Sequence, residues 1–131
     1  MIKNWEFQKL NMDFSSGMGS DHPSDIDMMY LCGDVLIIGE IKNYLDEHKY
    51  SRGQRRLHEK LARLHKGKAV VIFALHDKFV QNGDTTVDVM NLPVREVWWN
   101  CEGGWRRPTK RITVGEAIRK IKQESEDKAN E

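Results

Sequence analysis

The chain has 131 residues, of which 39% are apolar and 31% charged, and its 21 Lys and Arg nearly balance 20 Asp and Glu. That length suits one core-bearing domain, and a net charge of +1 singles out no partner. The longest purely apolar run, Ala69 to Leu75, is seven residues and too short to cross a bilayer.

The opening MIKNWEFQKL has neither the apolar stretch nor the small-residue cleavage site of a signal peptide. Cys32 and Cys101 form no CxxC pair, which argues against a disulfide framework or a cysteine zinc site. A soluble cytoplasmic protein without a membrane partner is the expectation.

In chain order, Lys3 to Leu10 reads as a short helix, and the Ser/Gly-rich stretch 15–20 as a loop. Two strand-like runs follow, Asp25 to Leu31 and Val35 to Lys42, separated by Cys32-Gly33-Asp34, a gap short enough for a β-hairpin. Ser51 is placed to cap a helix running to about Lys66, with Gly67 as its stop. In that helix Gln54, Leu57, Leu61 and Leu64 form the expected inward stripe. Ala69 to Leu75 predicts a buried strand, and Thr85 to Trp99 one or two more, broken near Pro93. Thr113-Val-Gly-Glu116 is a capping box opening a last helix to about Ile121, and the polar tail 123–131 is expected to fray. The order α-β-β-α-β, then β and α, predicts an α/β domain over residues 1–122, with a mixed sheet flanked by helices.

The hairpin carries the chemistry. Leu36, Ile38, Glu40 and Lys42 share one face of its second strand. A two-residue turn at Gly33-Asp34 sets Asp27 opposite Glu40 and Asp25 opposite Lys42, whereas a turn at Cys32-Gly33 sets Asp25 opposite Glu40. Either register gathers three carboxylates and a lysine, a crowding that is costly without a counter-ion. Mg2+ suits such a patch, because it takes one or two carboxylates and completes its shell with water and phosphate oxygens. Lys42 is then placed to serve an attacking water or to neutralise phosphate charge.

Asp27, twelve intervening residues, and Glu40-Ile41-Lys42 resemble the (P)D…(D/E)xK signature of the PD-(D/E)xK nuclease superfamily, with Pro23 slightly upstream of the aspartate. The small Holliday-junction-resolvase-like and VRR-NUC-like branches are nearest. The resemblance covers about residues 3–76 and leaves about 77–122 as an elaboration. It implies a restriction-endonuclease-like αβββαβ core, with the strand before Asp25 drawn from the Met12 to Met18 region. It also implies Asp27, Glu40 and the Ile41 carbonyl as ligands of Mg2+ or Mn2+, Lys42 as the catalytic lysine and Gln54 as a supporting side chain. Glu6, in the first helix, matches an additional acidic ligand of some members. Asp25, two residues before Asp27, leaves two candidates for the first ligand.

Charge is segregated along the chain. Residues 1–41 carry two basic and seven acidic side chains, 42–68 nine and three, and 106–122 seven and one. Basic segments beside an acidic, metal-ready pocket suit a nucleic-acid enzyme. Arg52, Arg55 and Arg56, lying off the leucine stripe, and Arg106, Arg107, Lys110 and Arg111, beside Trp105, are the candidate DNA contacts, with RNA as another substrate. His22 adjoins the pocket in sequence, while His58 and His65 read as surface residues. A homodimer through Trp98-Trp99 is expected. Two rivals stand beside the nuclease: a catalytically silent version of the same fold that binds nucleic acid or acts in anti-restriction, and a domain whose hairpin acids bind a basic protein.

Overall fold

The computed structural model describes residues 5–6, 26–77 and 86–129. The elements in chain order are β1 (Trp5–Glu6), β2 (Met28–Cys32), β3 (Val35–Asn43), α1 (Arg52–Leu64), β4 (Ala69–His76), β5 (Thr86–Val87), β6 (Val94–Trp99), β7 (Trp105–Arg106) and α2 (Val114–Ala129). Single 3-10 segments, Tyr44–Lys49 and Val89–Asn91, precede α1 and β6. β2, β3, β4, β6 and β7 lie side by side in that order in a five-stranded sheet, and β1 pairs with β5. Among the described residues only β3 and β4 run parallel; the other pairs are antiparallel. The fold is thus α/β, a mixed sheet flanked by helices. Among the described residues, no helix is long and apolar enough to cross a membrane.

The β2–β3 hairpin turns on Gly33 and Asp34. Cys32 pairs with Val35, and the register runs back to Met28 opposite Gly39. Gly33 has φ 59°, the left-handed conformation that a two-residue hairpin turn asks of its first residue and that glycine adopts without strain. Of the two registers open to the sequence, this is the one that sets Asp27, just ahead of β2, beside Glu40. Asp25 and His22 lie outside the described residues, as does the Met12 to Met18 region.

Alternation along the strands sorts side chains into two cores. Ile37, Ile41, Val70, Ile72 and Val94 pack with Val114, Ile118 and Ile121 of α2. On the opposite face Ile38, Ala69, Val71 and Trp98 pack with Ala62 of α1.

Three expectations are corrected. Trp5–Glu6, expected in a helix, is a strand that pairs with Thr86–Val87, so Glu6 does not sit on a first helix. Of the three leucines in the expected stripe of α1, Leu61 packs against the core, but Leu57 is 37% and Leu64 80% exposed, whereas His58 and Ala62 are fully buried. The helix lies close over the sheet, and a small residue at Ala62 permits that approach where a leucine would not. α2 continues through Ala129 instead of fraying from residue 123, aided by a Gln123 amide donating to Asp127 across one turn at 3.0 Å. Trp98 is 1% exposed and belongs to the core, while its neighbour Trp99 is half-buried.

Candidate active site

The candidate residues gather at the carboxyl end of β3, where the parallel β3–β4 pair hands over to α1 through the Tyr44–Lys49 turn. In open α/β sheets, ligands bind outside the carboxyl ends of parallel strands. Glu40 is the charged side chain on β3 facing α1, and it is only 3% exposed. Its Oε1 lies 3.1 Å from Lys42 Nζ, two residues along on the same face. The Lys42 side chain keeps 23% of its surface open, against 4% for that of Glu40. Asp27 Oδ2 accepts a hydrogen bond from the backbone N–H of Ile41 at 2.8 Å. That bond ties the loop before β2 to the residue between Glu40 and Lys42.

Behind Glu40 stands a polar layer contributed by α1 and the residue ahead of its cap. His58 Nε2 faces Glu40 Oε2 at 4.0 Å, and His58 Nδ1 is 2.8 Å from the Tyr50 hydroxyl. The Tyr50 ring packs on Phe73 at 4.7 Å between centroids and edge-on to Trp105 at 5.6 Å. Burial, with the negative charge of Glu40 next in weight, pushes the Tyr50 phenol well above the usual range, so it stays neutral.

Gln54 belongs to the cap and not to the carboxylates. Its Oε1 accepts from Ser51 N–H at 3.4 Å while Ser51 Oγ accepts from Gln54 N–H at 3.2 Å, a reciprocal box that starts α1. Arg55 is likewise committed. Its guanidinium is paired with Glu96 at 3.1 Å and stacks over Tyr50 and Trp105, each at 4.5 Å. It is therefore not one of the solvent-facing cations the sequence suggests.

Arg52 and Arg56 are exposed, and with Arg55, Glu59 and Trp105 they line a cleft of about 510 Å³. Trp105 thereby meets the basic start of α1 from about fifty residues along the chain. Arg106 is exposed and pairs with Glu102 at 3.6 Å; Arg107, Lys110 and Arg111 are exposed on the way to α2. A larger cleft, about 610 Å³ and lined by Gly33, Lys66, Lys68, Trp99 and Lys128, opens at the turn end of the hairpin, away from Glu40 and Lys42.

The sequence reading missed His58, Tyr50 and Glu96. His58 had a signal: Gln54, His58 and Ala62 recur at four-residue spacing and mark a face that the leucines outweighed. Glu96 had none, because its role depends on β6 lying across β4 from α1.

Among the described residues, no three His, Cys, Asp or Glu side chains converge as a metal cluster. The donors at hand are two carboxylates, Asp27 and Glu40, and the main-chain carbonyl of Ile41. That is an all-oxygen set of the kind a hard divalent cation takes while retaining water. Comparisons with protein-family profiles, with curated proteins and with solved structures find no match for this chain.

Proposed function

We propose that this chain is a divalent-metal-dependent nuclease of the PD-(D/E)xK type that hydrolyses phosphodiester bonds in DNA. One juxtaposition carries the reading. The Lys42 ammonium lies 3.1 Å from the Glu40 carboxylate, while the Asp27 carboxylate is fastened to the amide of the residue between them. The order hairpin, helix, then a strand parallel to the hairpin's second strand supports the same reading from Asp27 onward.

Asp27, Glu40 and the Ile41 carbonyl would hold Mg2+ or Mn2+, which when bound stabilises negative charge on a phosphate and lowers the pKa of water. Lys42, at the opening of the site, neutralises charge developing on the phosphate and orients the attacking water. The buried position of Glu40 keeps bulk water off one side of its carboxylate, which strengthens its interaction with any cation that reaches it. Arg52 and Arg56, beside Trp105, offer phosphate contacts and an aromatic edge for a nucleic-acid strand.

The test is cleavage of a labelled panel of duplex, single-stranded, flap and four-way-junction DNA, together with RNA, in Mg2+ and in Mn2+. Glu40→Ala and Lys42→Ala run beside the unaltered chain. Metal-dependent cutting that disappears in both variants supports the reading. Binding without cutting under every metal condition overturns it in favour of the catalytically silent nucleic-acid-binding module.

A further inference from the structure

Tyr50 and His58 form a buried polar pair that the chemistry above does not use. Tyr50 is 3% exposed and His58 0%. Three contacts fix Tyr50: the Phe73 ring, the edge of Trp105, and Arg55, whose Nε donates to the Tyr50 carbonyl at 3.2 Å. The Tyr50 hydroxyl meets His58 Nδ1 at 2.8 Å, and the opposite ring nitrogen faces Glu40 Oε2 at 4.0 Å.

On a neutral His58 ring a lone pair at Nε2 would repel the carboxylate, so we assign the ring proton to Nε2. Nδ1 is then the acceptor and the Tyr50 hydroxyl the donor. The neutral phenol that burial enforces is the form able to donate.

We propose that Tyr50 and His58 are positioning residues for Glu40: the Tyr50 hydroxyl sets the His58 ring with Nε2–H toward Oε2 across 4.0 Å, too far for a direct hydrogen bond, so that the ring acts through its N–H dipole to bias the carboxylate's orientation for a divalent cation. Lys42 pairs with the other oxygen, Oε1, so the two sides of the carboxylate have different neighbours. Groups standing behind a metal ligand in this way set its orientation and basicity. The inference rests on the nuclease reading and adds to it two residues that touch neither metal nor substrate.

The test uses the full chain and Mn2+ alone, without nucleic acid, with free Mn2+ read by electron paramagnetic resonance. Far-UV circular dichroism establishes folding for each variant, and cleavage of the labelled panel is measured in parallel. A glutamine amide reaches the place of Nε2 and an asparagine amide that of Nδ1, which separates the two functions of the ring. Tyr50→Phe and His58→Asn are expected to weaken Mn2+ binding roughly tenfold. His58→Gln is expected to stay within about threefold of the parent, since it keeps the donor toward Glu40.

Parental affinity in folded Tyr50→Phe overturns the inference, and it decides the matter if the His58 variants do not fold. Equal loss in His58→Gln and His58→Asn overturns it too, because that is what a merely structural ring would give. Should the parent bind Mn2+ and cut DNA while Tyr50→Phe matches it, this inference falls and the nuclease reading stands. Should the parent neither bind Mn2+ nor cut, both fall together.

Discussion

Neighbouring residues of β3 enter two unlike environments. Ile37 and Ile41 point into an apolar layer beneath α2, among Val70, Ile72, Val94 and Ile118. Ile38 begins the other face in the same manner, but Glu40 and Lys42 then replace hydrocarbon with charge, and His58, Tyr50, Arg55 and Glu96 continue the polar layer under α1. Taking Glu40 out of water costs several kcal/mol before its neighbours offset it, in a domain whose whole stability is on the order of 5–15 kcal/mol. The α2 face can offset that cost because its buried residues among those described are apolar. One sheet thus separates the part that stabilises from the part that is free to be chemically expensive.

The largest expected effect lies on the charged face. Glu40→Gln and Lys42→Ala should each reduce the single-turnover cleavage rate by roughly 10²–10⁴-fold while leaving the far-UV spectrum intact. A small loss in both would dissolve the contrast between the faces. The mirror experiment is Ile72→Ala beneath α2. It should cost about 2–5 kcal/mol in urea denaturation, while the remaining folded molecules cut at the parental rate.

Arg55 sharpens the division inside the charged face. Its pairing with Glu96 and its stacking on two rings make it structural, so Arg55→Ala should destabilise by about 1–3 kcal/mol. Arg52→Ala should leave stability within about 0.5 kcal/mol and reduce the salt dependence of DNA binding by close to one phosphate contact. Equal behaviour of the two arginines would erase the distinction.

The smallest effect concerns alkaline pH. Glu40 from β3, Glu59 from α1 and Glu96 from β6 all add to burial in holding the Tyr50 proton, against Arg55, which favours its loss. Below the ordinary phenol value of 10.0, folded and unfolded chains both keep that proton and stability is undiminished. Above it only the unfolded chain ionises, so stability falls as pH rises. Tyr50→Phe should flatten this alkaline limb in denaturation curves taken on either side of pH 10.

Some of this was legible in the sequence for local reasons. Gly33 and the alternation on either side announce the hairpin and narrow its register to two, both of which bring acids from before β2 toward Glu40 and Lys42; the structure selects the turn at Gly33-Asp34. Ser51 with Gln54, and Thr113 with Glu116, announce the two helix starts through side chains bonding the nearest backbone. What stayed hidden depends on partners remote in the chain. Trp5–Glu6 is a strand because Thr86–Val87 lies beside it, which no local pattern records. His58 is buried because Glu40 of the sheet and Tyr50, just ahead of the α1 cap, lie around it, whereas by propensity alone the leucines of α1 claim the inward face. Arg55 reads as a phosphate contact until β6 brings Glu96 to it.

The reciprocal bonds between Ser51 and Gln54 have a consequence for the angular phase of α1. A helix advances about 100° per residue, so the residue at which it starts decides which side chains face the sheet two turns later. A residue inserted in the Tyr44–Tyr50 segment, ahead of the box, leaves the spacing from Ser51 to His58 untouched. The same insertion between Ser51 and His58 would rotate His58 and Ala62 by about 100° relative to the start of the helix. Gln54 therefore bears on Glu40 without touching it: it marks the zero from which the helix counts round to His58.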